Sequence, residues 1–140
     1  MNYIVGLLLA LATGGLATVV GFDRSRSFYP VVLIVIASYY CLFAVMGGST
    51  AALWLDTAIA AVFAVAAIIG FRTSLWLVAA ALAAHGAMDV VHHHMIVNAG
   101  VPMWWPGFCS AFDITAAAYL AVCIVRRSES HGLAKERTRI

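Results

Sequence analysis

Apolar side chains along this chain fall in five long runs rather than on one face of an amphipathic period. The runs are Tyr3 to Gly21, Pro30 to Met46, Ala51 to Gly70, Leu75 to Val97 and Gly107 to Val125. An α-helix needs roughly 17 to 25 such residues to cross the hydrocarbon of a bilayer, where the backbone must satisfy its own hydrogen bonds. The pattern predicts an all-α membrane protein, a bundle of five transmembrane helices joined by very short loops. Gly6, Ala10 and Gly14 recur at four-residue spacing in the first run, a small-residue face on which a neighbouring backbone can close.

Composition agrees with the pattern. The 140 residues are 64% hydrophobic and 10% charged, with a mean hydropathy of +0.99, more apolar surface than one small water-soluble core can hide. Charge then sets orientation. With five crossings and the segment from Arg126 inside, the inner loops hold Arg24, Arg26 and Arg72, and all 8 Lys and Arg side chains lie on one side. The opposite loops, Gly47 to Thr50 and Asn98 to Pro106, carry no charge. The positive-inside rule therefore predicts the N-terminus outside and the C-terminus in the cytoplasm. Residues 1–125 read as one five-helix transmembrane domain and 126–140 as a polar, basic cytoplasmic tail, mobile or resting at the interface. The first run lacks a positive n-region and reads as an anchor, not a cleavable signal.

The net charge of +2 follows from topology and attraction to anionic lipid, and no motif points to nucleic acid. Cys41, Cys109 and Cys123 are too widely spaced for a Cys-x-x-Cys zinc pattern and read as small buried residues. Trp104 and Trp105 suit an interfacial aromatic belt. Tyr39 and Tyr40 fall near the middle of the second run, where at least one hydroxyl must find a partner inside the bundle.

The exception to the apolar pattern is His85-Gly-Ala-Met-Asp89-Val-Val-His92-His93-His94. On a helix His85, Asp89, His92 and His93 project within an arc of about 100°, and His94 points the other way. Ionisable groups are costly in hydrocarbon and mark function by default. At about 1.5 Å of rise per residue, Asp56 lies about 8 Å and Asp113 about 9 Å below the outer boundary, a depth that Asp89 and His92 or His93 also reach. Three carboxylates and a histidine row thus share one level. Imidazole and carboxylate suit a divalent transition metal, zinc first and iron second. The predicted ligand set is His85, Asp89, His92, His93 and Asp113. Asp56 by itself reads as an interhelical clasp, and Cys109, one turn before Asp113, either joins the cluster or packs beside it.

Several familiar chemistries fit poorly. Every intramembrane histidine is on the fourth helix, so bis-histidine haem would need a dimer or another axial ligand. Gly follows His85 where the His-Glu-x-x-His signature has Glu, and Ser110 lacks a Gly-x-Ser-x-Gly context.

His85-x3-Asp89-x2-His92-His93 followed by Cys109-x3-Asp113 resembles a pattern in small uncharacterised bacterial multispan membrane proteins with no assigned function. The resemblance covers about a third of the chain, the last two helices. It implies that these positions act as one unit in a bacterial inner (plasma) membrane.

Three functions follow as expectations. The first is a metal-dependent enzyme acting on an apolar or lipid-like small molecule that enters from the outer leaflet. The second is a small ion- or proton-coupled transporter. The third is a noncatalytic accessory subunit, and self-association into a homo-oligomer is compatible with all three. The apolar inner halves of helices three to five lean against a continuous channel.

Overall fold

The computed structural model describes residues 1–137, with side chains described through Ser130. The five apolar runs form five helices: α1 Asn2–Val20, α2 Phe28–Met46, α3 Thr50–Arg72, α4 Leu75–Met95 and α5 Trp105–Arg137. Each contains a stretch long and apolar enough to cross a membrane. A single 3₁₀ turn, Phe22–Arg24, links α1 to α2.

Local chemistry sets the breaks. Gly21 ends α1 in the left-handed region at φ 88°, its N–H returning to the Ala17 carbonyl, a conformation that glycine adopts without steric cost. Gly48, at φ 66°, lets the chain reverse between α2 and α3. Ser49 caps α3 by accepting the Ala52 N–H, and Ser74 caps α4 by accepting the Trp76 N–H, so one orphan donor at each helix start is satisfied.

The helix α5 continues past Val125 to Arg137 without a break. Its 33 residues span about 50 Å, longer than the roughly 30 Å hydrocarbon core. The segment expected as a polar tail therefore begins inside the same helix, and residues 138–140 lie outside the described residues.

The helices do not form a simple ring. The helix α4 packs on α5 and on α3, α1 packs on α5, and α2 packs on α3 with a lighter contact to α4. The small-residue face of α1 is the buried one: Gly6, Ala10, Gly14 and Ala17. Gly6 faces the Phe108 backbone carbonyl and Gly14 the Tyr119 ring, where any Cβ would collide. On the outside, Leu8, Val31, Val62, Trp76 and Val90 are exposed, the distribution expected when the solvent is hydrocarbon.

Two devices position the interior. Gly86 sits against the Ser110 carbonyl and the Asp113 side chain, and a Cβ there would lie 3.0–3.1 Å from both. The helices α4 and α5 therefore close on each other beside His85. Toward the basic end, Leu33, Val78, Leu82 and Leu120 fill the centre with essentially no exposed surface.

Candidate metal centre

One turn of α4 carries His85 and Asp89, and one turn of α5 carries Cys109 and Asp113. Residues i and i+4 lie on one helical face, so each helix presents a pair, and the close approach at Gly86 brings the pairs together. All four are buried, and one donor atom from each lies within 4.8 Å of the others. His85 Nδ1 and Asp113 Oδ2 share a hydrogen bond of 2.7 Å. Asp89 Oδ2 lies 3.7 Å from the same nitrogen, and the Cys109 thiol lies 3.9 Å from Asp113 Oδ2. Tyr40 of α2 donates its hydroxyl proton to Asp89 Oδ1 at 2.7 Å. Phe63 of α3 packs against the imidazole edge-on, with ring centroids 4.7 Å apart.

Hydrogen bonding within this cluster is incomplete. Asp89 Oδ2, Asp113 Oδ1 and His85 Nε2 are buried without a hydrogen-bond partner, whereas buried polar atoms are ordinarily paired. The arginines whose side chains are described, Arg24, Arg26, Arg72, Arg126 and Arg127, lie at the other end of the bundle, beyond the apolar layer of Leu33, Val78, Leu82 and Leu120.

The remaining candidates form a second node. His92 Nε2 and Asp56 Oδ1 share a hydrogen bond of 2.8 Å. The Asn98 amide donates to Asp56 Oδ2 at 2.8 Å and to the Tyr40 carbonyl at 3.1 Å. The Tyr40 ring stacks on His92 with centroids 3.9 Å apart. Tyr40 thus touches both nodes, its hydroxyl on Asp89 and its ring on His92.

The structure brings His85, Asp89 and Asp113 together and adds Cys109, while His92 and His93 stand elsewhere. The reason is rise. His92 shares the face of His85 but lies about 10 Å further along the axis, too far for both to hold one ion. His93 is rotated off that face, is exposed, and stacks beside His94 at 3.8 Å. Asp56 makes the clasp its isolation suggested, with His92 and Asn98 as its partners. Asn98 carries one signal in the sequence, a side chain able to donate and accept just after a helix end and before Gly100, but an uncharged loop residue gives no spacing from which its partners follow.

An all-helical bundle with five helices able to span a bilayer, enclosing a four-residue His/Asp/Cys group able to hold a metal ion, defines the class of this protein: a multi-pass membrane architecture with a buried candidate metal centre. No protein-family model, curated protein or solved structure matches the chain.

Proposed function

We propose that this chain is a membrane-embedded metal protein that holds one divalent transition metal on His85, Asp89, Cys109 and Asp113, with zinc ahead of iron. One observation carries the reading: two carboxylates and an imidazole with no exposed surface leave three polar atoms unpaired, and the described arginines lie beyond an apolar layer. With Cys109 bound as thiolate, the two ionised carboxylates, the neutral imidazole and a divalent cation sum to −1, against −2 for the two carboxylates alone, which lowers the cost of burying them. A cation there would take the place of the proton shared by His85 and Asp113. One nitrogen, two carboxylates and one sulfur suit zinc. Donor atoms around tetrahedral zinc sit about 3.3–3.8 Å apart, so the cluster needs to close by about 1 Å.

The reading places the centre in the outer half of a bacterial plasma membrane, with the N-terminus outside. Among functions it favours a metal-dependent enzyme for an apolar or lipid-like substrate. Cys109 lines a cleft of about 310 Å³ between α1 and α2, walled by Leu9, Val35, Tyr39 and Phe112, a lateral route from hydrocarbon to the centre. Bound metal would supply Lewis acidity, and it would activate a water by taking it as a fifth ligand or in place of one of the four, because four protein ligands close a tetrahedral zinc. Transport is disfavoured because Leu33, Val78, Leu82 and Leu120 close the path toward the basic end.

Metal analysis of protein purified without chelators tests the proposal. One equivalent of zinc or iron is expected in the wild type, falling below about a tenth in folded His85→Ala. Metal-free wild type that also fails to take up added zinc or iron would overturn it and leave a hydrogen-bonded helix clasp.

A further inference from the structure

At the basic end, away from the metal centre, a cavity of about 280 Å³ opens between the start of α2, the start of α4 and the last membrane turns of α5. Tyr29, Arg26, Ser74 and Arg127 contribute to its wall. Tyr29 is only 4% exposed, and its hydroxyl has no hydrogen-bond partner. A buried phenol that lines a cavity and donates to nothing is a vacant donor for an acceptor oxygen.

Two further features select an anion. Ser74 is the N-cap of the 21-residue α4 and lines the cavity, so the positive end of that helix dipole lies at this region. The Arg26 guanidinium reaches the carbonyls of Phe71 and Gly70 at 3.1 and 3.4 Å, which fixes it at the rim with donors left over, since a guanidinium has five. The one acid in the wall, Asp23, is paired: its carboxylate accepts from the Thr18 hydroxyl at 3.0 Å and lies 3.4 Å from Arg127.

We infer that this cavity binds the phosphate of an anionic phospholipid from the leaflet on the basic side, with Tyr29 and Arg26 as donors and the α4 dipole adding positive potential. Lipid is favoured over a soluble phosphate because, Thr73 apart, the remaining wall is Leu75, Trp76, Leu120, Cys123 and Ile124. Trp76 and Ile124 border the cavity, and Trp76 is exposed at the level where an interfacial indole meets headgroups. The glycerol and first methylenes would run along these side chains while the phosphate sits inside.

Thermal unfolding and native mass spectrometry of the full chain in micelles containing phosphatidylglycerol, phosphatidylcholine or inorganic phosphate test this. Phosphatidylglycerol is expected to raise the melting temperature by several degrees beyond phosphatidylcholine at equal mole fraction and to persist as a bound lipid. Tyr29→Phe keeps the ring packed edge-on against Phe28, with centroids 5.0 Å apart, so its stability in phosphatidylcholine should match wild type. Its phosphatidylglycerol binding should weaken about tenfold, as loss of a charge-assisted hydrogen bond implies, and Arg26→Gln should weaken it further. Equal stabilisation by the two lipids, or wild-type phosphatidylglycerol binding by Tyr29→Phe, would overturn the inference. An equal shift with millimolar inorganic phosphate would overturn the lipid assignment in favour of a soluble anion.

Discussion

Two buried aspartates in this protein look alike in the sequence but face different partners, and substitution should separate them. Asp113 has one oxygen on His85 and the other without a partner. Both oxygens of Asp56 accept hydrogen bonds, one with His92 and one from Asn98. Asp56→Asn can keep both, its carbonyl accepting from Asn98 and its amide donating to the other tautomer of His92. Its stability and metal-induced melting shift should stay near wild type, while Asp56→Ala should cost about 1–3 kcal/mol by stranding the buried partners. Asp113→Asn replaces an anionic ligand by an amide, so the stabilisation gained from added zinc should largely vanish. Thermal melts with and without metal read both; equal zinc shifts for wild type and Asp113→Asn would remove Asp113 from the centre.

The same pair marks what could be read in advance. His85, Asp89 and Asp113 were legible because apolar runs expose any ionisable group; helical angle put the first two on one face, and depth along the fifth helix brought in Asp113. His92 joined them on angle, and only the axial rise separates it from His85. Cys109 stayed open because sulfur in an apolar run looks like packing until Asp113 is seen one turn away across from α4. Asn98 was hidden because loop geometry, unlike helical phase, does not follow from spacing.

At the scale of elements, glycines at helix contacts do separable work. Gly86 sets the α4–α5 distance at the candidate metal centre, and Gly6 sets the α1–α5 distance at the flank. Gly86→Ala should force α5 away by a few tenths of an ångström, costing about 1–3 kcal/mol of stability, and weaken metal binding about tenfold or more. Gly6→Ala should also lower the melting temperature but leave metal content unchanged, because both ligand-bearing helices keep their mutual contact. Equal metal loss in the two variants would show that the centre depends on the whole bundle rather than on the α4–α5 pair. The five helices and most of their ends were legible from run length, whereas the caps at Gly21, Ser49 and Ser74 are a finding of the structure. Their neighbour relations were not, since nearly all-apolar helices carry no stripe to say which face meets which helix.

For the whole molecule, the asymmetry of charge is the strongest sequence signal and makes the orientation testable. Reporter fusions are expected to find the C-terminus in the cytoplasm and the Asn98 loop outside. A fusion after Ile140 active only when exported would invert the placement of both the metal centre and the lipid cavity.

The helix α1 packs on α5, four spans later in the described chain. During synthesis, therefore, α1 enters the membrane four spans before its main partner arrives. Until then its glycine face has nothing to close on, and the pairs His85–Asp89 and Cys109–Asp113 are not yet joined. Assembly of this small bundle is thus a late, long-range event, and a nascent chain halted before Cys109 presents α1 to the lipid and to whatever membrane chaperone escorts it.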